Sequence, residues 1–290
     1  MIVTILNVII GGLIMGGIYA LISVGLSMQY GVARVLNVSH GEFIILGAFI
    51  TWTLYTRFSV NPVVSLVVLG PALFVAGFGL HRTLFKRLRS VSPSAAAFEG
   101  NSMLMAFGIL FIIQNVAIIT WGSTIRSYTF LAYAVDIGGL RFSANRLLIL
   151  LFAVASCLAF YLFLAHTRLG KAIRASAQDP VAAGLLGVNI DSMLAICFGL
   201  GALMAGIAGG LQSVAYQIQA TMGLQYTVIA IIVVVLGGLG SIPGSLAGGF
   251  LLGLIGSIVS TMAPSLTLVA YYVLFMVLLL VKPTGIFGKP

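Results

Sequence analysis

Residues 145–165 read NRLLILLFAVASCLAFYLFLA, and this stretch decides the class of the fold. A helix of this length is about 32 Å long, enough to cross a hydrocarbon core of about 30 Å. Similar runs recur along the chain. They are continuous rather than alternating at period two, which favours helices over a barrel. The sequence therefore predicts an all-α, polytopic membrane protein.

Nine apolar runs account for most of the chain, whose mean hydropathy is +1.20. They lie near residues 4–28, 41–56, 62–80, 101–121, 145–165, 191–213, 225–240, 245–262 and 265–281. Glycine, proline and polar residues interrupt the pattern at YGVARVLNVSHGE (30–42) and GGLGSIPGSLAGG (237–249), so either stretch is a candidate broken or re-entrant helix. We predict eight or nine crossings in one transmembrane domain, residues 1–290.

The formal net charge of +9 does not indicate nucleic-acid binding, because the basic residues stand singly or in small groups at the ends of apolar runs. Such a distribution sets membrane orientation. If 81–100 is cytoplasmic, 166–190 lies on the same side, and 122–144 lies outside. Four basic residues then lie outside and ten lie on the cytoplasmic side. The ten are Arg34, Arg82, Lys86, Arg87, Arg89, Arg168, Lys171, Arg174, Lys282 and Lys289.

The acidic residues bear on the source of energy. The chain has five, and only Glu42 lies at a membrane-embedded position, which disfavours coupling to an ion gradient through a buried carboxylate. Coupling to a sodium gradient, with the ion bound by carbonyl and hydroxyl oxygens, remains an alternative. A phosphate-binding glycine loop, a catalytic triad and a metal-ligand cluster are not found, so we predict no enzyme activity, no cofactor and no metal. Active transport would then need a partner, and a transporter acting alone is the alternative.

The segment HTRLGKAIRASAQDPVAAGLLGVNI (166–190) is a polar island between two apolar runs. Three-residue spacing places Arg168, Lys171 and Arg174 on one side of a short helix that ends before Asp179. Asp179 is placed to cap a second helix with Pro180 in its first turn and Gly187 at its end.

This second helix is too short to be stable alone and needs a packing partner, either this chain or another protein. The side chains that it presents are small or apolar: Ala182, Ala183, Leu185 and Leu186, with Gly184 among them.

Other polar and small residues within the runs are candidate functional residues. Asn37, Ser39, His40 and Glu42 either line a translocation pathway or fix a helix break around Gly41. Gln114 and Asn115 are further candidates for the pathway. Close helix packing is predicted from the four-residue spacing of Gly240, Gly244 and Gly248, and Pro243 predicts a hinge.

Four stretches carry a family resemblance: YGVARVLNVSHGEFIILGAF (30–49), TRLGKAIRASAQDPVAAGLLGVN (167–189), VLGGLGSIPGSLAGGFLLGLIGS (235–257) and VKPTGIFG (281–288). Together they resemble the permease subunit of high-affinity branched-chain amino acid ABC transporters, of the leucine/isoleucine/valine type. The resemblance runs in order over nearly the whole chain.

The resemblance implies an importer-type fold with a central second helix in the bacterial inner membrane. It also implies a second related permease, two cytoplasmic ATPase subunits, and a periplasmic binding protein that delivers the substrate. Residues 166–190 would then be the cytoplasmic coupling segment that docks on an ATPase. The wider family carries urea, short amides, aromatic acids and dicarboxylic acids, so the resemblance leaves the substrate open.

Overall fold

The computed structural model describes residues 2–137, 140–282 and 284–287, and the described chain is mostly helical. Lys289, one of the ten basic residues assigned to one side, lies outside the described residues. The helices are α1 (Ile2–Ala33), α2 (His40–Phe58), α3 (Pro62–Leu80), α4 (Lys86–Val91), α5 (Ala95–Trp121), α6 (Ala144–His166), α7 (Arg168–Gln178), α8 (Pro180–Leu185), α9 (Ile190–Ser213), α10 (Gly223–Gly237), α11 (Ile242–Met262) and α12 (Thr267–Val281).

Eight helical stretches among the described residues are long and apolar enough to cross a membrane. The ninth predicted run is α2, a helix of 19 residues with Glu42 in its first turn and Arg57 in its last. These nine elements correspond to the nine apolar runs, and the chain is a multi-pass membrane protein.

The centre of the bundle is formed by α1, α2 and α9. Small residues let their backbones approach closely: Gly47 lies against the backbone of Gly206, and Gly209 lies against that of Ile44. Most of α9 is buried, and the first half of α2 is buried almost continuously. The second helix is therefore central, as the resemblance implied.

The segment 81–100, predicted as a loop, is helical over most of its length. A π-helical turn, His81–Phe85, joins α3 to α4, so one helical stretch runs from Pro62 to Val91. Only three residues separate α4 from α5, whose first residue is Ala95. The helix persists because basic side chains at its end remain solvated while Phe85 is buried.

Basic segments gather at one end of the bundle, which we call the basic end. Val35, just after Arg34, packs with Phe85 at the start of the Arg82–Arg89 segment. Arg174 of α7 shares a cavity with the α10–α11 connection and with Phe287. Gly31 and Val32, just before Arg34, line the same cavity, so the predicted basic segments lie together.

The opposite end is closed by the 122–144 connection. Arg126 and Ile218 exchange backbone hydrogen bonds of 2.8 and 2.9 Å. Burial raises the pKa of the Tyr128 phenol to about 12, so the hydroxyl stays protonated and shares a 3.0 Å hydrogen bond with the Ser213 hydroxyl.

The same connection contains an antiparallel pair of strands, β1 (Ala134–Ile137) and β2 (Leu140–Ser143). The sequence analysis did not predict it, because two four-residue strands are too short to show a convincing alternation.

Candidate functional site

The chain folds back into the bundle after α1. Gly31, near the end of α1, lies against Gly240 at the basic end. The His40 Nε2 atom, only nine residues later in sequence, is 2.9 Å from the carbonyl oxygen of Ile22, and the His40 ring packs on Gly25. Ile22 and Gly25 precede Gly31 by six to nine residues, or roughly 9–14 Å along a helix axis. The non-helical segment 34–39 therefore re-enters the bundle, and α2 begins inside it.

A buried hydrogen-bond network holds this re-entrant segment. The Asn37 Oδ1 atom accepts hydrogen bonds from the Ser39 backbone N–H (3.2 Å) and hydroxyl (2.6 Å). The Asn37 amide donates to Gln29 Oε1 at 3.3 Å, and the Gln29 amide donates to the carbonyl of Phe198 at 3.3 Å. These side chains tie the break to α1 and to α9.

Thr227 of α10 closes the network from the other side. Its hydroxyl accepts a 2.8 Å hydrogen bond from the Gly41 N–H and donates to the Val38 carbonyl at 2.9 Å. Gly41 also lies against Gly223, the first residue of α10. The amino-terminal ends of α2 and α10 thus meet inside the bundle.

Glu42 sits at this meeting point. Its side chain is fully buried beside Gly223, and neither carboxyl oxygen has a hydrogen-bond partner among the described residues. The partial positive charges of the two helix ends are the local electrostatic feature that favours an acidic group here.

The predicted pathway residues fall into two groups. Asn37, Ser39, His40 and Glu42 are buried to within 2% exposure and are packed in the break. Gln114 and Asn115 lie on α5, with Gln114 half-buried and Asn115 exposed, its amide donating to the Phe111 carbonyl at 2.8 Å. The structure does not bring the two groups together.

The polar island folds into two short helices. The Thr167 hydroxyl caps α7 by accepting from the Gly170 N–H at 3.0 Å. One Asp179 carboxyl oxygen accepts from the N–H groups of Val181 and Ala182, each at 2.9 Å, and so caps α8. Gly187 follows α8 with φ of 86°, a left-handed conformation that favours glycine.

The faces of these helices differ in exposure. On α7 the basic residues Arg168, Lys171 and Arg174 are exposed, and Gly170, Ile173 and Ser176 are buried. On α8, Leu185 and the following Leu186 are each 86% exposed.

Of the two packing partners that the sequence left open for α8, Ala183 contacts this chain: it is 3% exposed and is therefore not presented to another protein. It lies on the side of α8 that packs against α9, where Gly184 approaches Ile190. The exposed surface of α8 is formed by Val181, Ala182, Gly184 and Leu185, and Leu186 extends it just beyond the helix.

Of the three glycines predicted to pack helices closely, Gly244 and Gly248 do so and Gly240 does not. Gly240 lies in the α10–α11 connection with φ of 79°, outside either helix. Gly244 and Gly248 lie on α11 against Gly237 and Val233 of α10, where an added Cβ would meet backbone. Pro243 occupies the first turn of α11, so the chain breaks just before it.

Comparisons with known proteins identify the family. The family model described as branched-chain amino acid transport system, permease component, matches residues 8–282. The chain belongs to this permease family.

Relatives of this permease match it over nearly their full length. The high-affinity branched-chain amino acid transport system permease protein LivH of Salmonella typhimurium is 30% identical over 96% of this chain and 94% of its own. The corresponding protein BraD of Pseudomonas aeruginosa is 29% identical over 98% and 96%. Among solved structures, PsaBC from Streptococcus pneumoniae in complex with Fab aligns with a TM-score of 0.48 at 12% identity, over 94% of this chain and 91% of that one.

Two cavities open at opposite ends of the permease. A cavity of about 660 Å³ at the basic end is lined by residues that include Met28, Gly31, Arg174, Ser241, Pro243 and Phe287. A second, of about 490 Å³, lies at the other end and is lined by residues that include Met15, Tyr19, Arg146, Tyr216, Ser257 and Tyr271.

The contact between α1 and α11 separates these cavities. Tyr19 and Met28, the α1 residues that reach deepest from either side, are nine residues apart, or about 14 Å along the helix. Between them Gly249 of α11 lies against the backbone of Ala20.

Several residues that contact the re-entrant segment were not predicted from the sequence. Gln29 and Thr227 hold the break, and each is a polar residue close to the end of an apolar run, which is the sequence feature that would have identified them. Gly223 carries no comparable feature.

Proposed function

We propose that this chain is one of two permease subunits of an ATP-driven importer that moves branched-chain amino acids across the bacterial inner membrane. In this proposal the basic end faces the cytoplasm, in accord with the preference of Lys and Arg for that side. A periplasmic binding protein delivers the substrate to the opposite end.

The observation that carries the proposal is the exposed apolar tip of α8. Leu185 and Leu186 are each 86% exposed on a six-residue helix at the basic end. Such a helix gains little stability from its own hydrogen bonds, and leucine side chains at this exposure favour a protein groove over water. Residues 166–190 are therefore the coupling segment, and a cytoplasmic ATPase subunit is its partner.

Roles within the coupling segment follow from its contacts. Asp179, Pro180 and Gly187 set the bounds of α8, and Ala183 attaches it to α9. Arg168, Lys171 and Arg174 add exposed charge on the neighbouring helix α7, where single ion pairs contribute only about 0–1 kcal/mol.

The names of the relatives support branched-chain amino acids as the substrate. Among the described residues Glu42 is the one buried acidic group and no Lys or Arg is buried, so a charged substrate would find little counter-charge, which suits a zwitterion. Urea, short amides and aromatic or organic acids are the alternatives that competition with leucine uptake would reveal.

The re-entrant segment supplies the polar part of the proposed pathway. Asn37, Ser39, His40 and Glu42 would be uncovered when α2 and α10 separate at Gly41, so they act in an open state of the transport cycle. Gln114 and Asn115 on α5 would be covered by the second permease in the outer half of the membrane. Gly244 and Gly248, with Pro243 and Gly240, hold α11 close to α10 on the side of the cytoplasmic cavity.

The docking claim is tested by co-purification. Leu185→Asp combined with Leu186→Asp should abolish recovery of the ATPase subunits with the permease. Leu266→Asp, a 52% exposed leucine at the opposite end, is the matched control and should leave recovery unchanged. Full recovery with the α8 double variant would refute docking through this helix.

A further inference from the structure

The basic end carries a charged pocket that the transport function does not explain. The helical stretch Pro62–Val91 has 30 residues and is about 45 Å long, so it exceeds a hydrocarbon core of about 30 Å. Because Pro62 lies at the opposite end of the bundle, roughly the last ten residues of this stretch lie near the boundary between the hydrocarbon core and the headgroup layer, or beyond it. These are the residues that contain Arg82, Lys86, Arg87 and Arg89.

The four cations line one pocket of about 500 Å³ together with Thr83, Ser90 and Asp191. Lys86 Nζ is 3.2 Å from the Asp191 carboxylate, which neutralises one cation. Within the described residues no carboxylate lies within salt-bridge distance of the other three. The pocket therefore has a surplus of three guanidinium groups, which match the geometry of phosphate.

An apolar groove lies beside this pocket on another face of the same helix. Its volume is about 480 Å³, and Leu84 and Leu88 form one wall. The other wall is formed by α5, where Asn101, Leu104, Gly108 and Ile112 are exposed, Met105 is partly buried and Ile109 is buried.

The dimensions of the groove fit one leaflet. Asn101 and Ile112 are eleven residues apart on α5, or about 16 Å, close to half the thickness of the hydrocarbon core. Leu104 is 74% exposed and Ile112 is 66% exposed, while Gly108 has open space where a side chain would lie. The groove is therefore open along the length of an acyl chain.

We propose that this surface is a binding site for an anionic phospholipid of the cytoplasmic leaflet. The phosphate headgroup binds to Arg82, Arg87 and Arg89, and one acyl chain lies along α5 over Gly108. Charge complementarity selects the headgroup, since basic side chains near an anionic membrane surface contribute about 1 kcal/mol each. The assignment to the cytoplasmic leaflet rests on the orientation proposed above, whereas lipid binding itself is measured without substrate.

The test uses the full importer complex, purified in mild detergent and equilibrated with equal amounts of phosphatidylglycerol and phosphatidylcholine of the same acyl chains. Native mass spectrometry then counts the lipids retained. We expect a preference for phosphatidylglycerol that falls roughly 30-fold in the Arg87→Gln, Arg89→Gln variant, from two lost contacts. The Arg34→Gln, Lys282→Gln variant, at two exposed residues of the basic end outside both the pocket and the coupling segment, is the matched control and should keep the preference.

Gly108→Phe fills the groove without changing any charge, and it should reduce retention of both lipids. An equal loss of the phosphatidylglycerol preference in both double variants would overturn the site, because general surface charge would then account for the preference. An unchanged lipid ratio accompanied by loss of the ATPase subunits in the Arg87→Gln, Arg89→Gln variant would also overturn it and assign the pocket to a protein contact. The same holds if only the isolated chain, and not the complex, retains the lipid.

Discussion

The contact between α1 and α11 offers a quantitative test through Gly249→Ala. The new Cβ would lie 2.5 Å from the backbone nitrogen of Ala20 and 2.6 Å from its Cα. Non-bonded carbon atoms normally lie about 3.5–4.0 Å apart, so the two helices must separate by about 1 Å. Because the obstructing atoms are backbone, no rotamer change relieves the overlap, and overpacking of this kind costs about 1–3 kcal/mol.

Gly108→Ala on α5 is the matched control, because nothing lies within 4 Å of its added Cβ. Both variants gain the same helix propensity of about 1 kcal/mol, so their difference isolates the packing cost. Reversible unfolding of the full chain in detergent should give a free energy about 1–3 kcal/mol lower for Gly249→Ala than for Gly108→Ala. Equal free energies, or a more stable Gly249→Ala, would refute the close contact that we place between the two cavities.

Three further predictions test the break, the coupling segment and the topology. Thr227→Val removes two buried hydrogen bonds to the break and should lower the free energy of unfolding by about 1–3 kcal/mol, while the exposed Thr120→Val should change it by less than about 0.5 kcal/mol. Asp179→Ala removes the α8 cap, worth about 1 kcal/mol, and should weaken ATPase recovery, whereas Asp179→Asn should retain it; equal recovery from both would dissociate capping from docking. An impermeant thiol reagent on intact cells should label Ser127→Cys and not Ser92→Cys, the two native cysteines being buried; the reverse pattern would invert the topology.

The sequence predicts most of what depends on local chemistry. Helical spans follow from apolar runs, and the bounds of α7 and α8 follow from the residues at their ends, because a cap such as Asp179 acts on N–H groups two and three residues away. The re-entrant stretch at 30–42 was predictable because polar residues there cannot face lipid.

Tertiary contacts account for the rest. Ala183 is buried because α9 covers one side of a six-residue helix, and periodicity over six residues does not specify which side is covered. The meeting of Gly41 with Gly223 joins segments more than 180 residues apart in sequence. Composition alone therefore identified polar candidates such as Asn37 without showing that Gln29 and Thr227 hold them.

The central claim is that this permease moves its substrate only with energy supplied by separate ATPase subunits. The direct measurement is leucine uptake into proteoliposomes that contain the chain with or without its second permease, ATPase subunits and binding protein. We expect concentrative uptake that requires ATP and all the partners, and no concentrative uptake by the chain alone under a proton or sodium gradient. Accumulation of leucine by the chain alone under either gradient would contradict it.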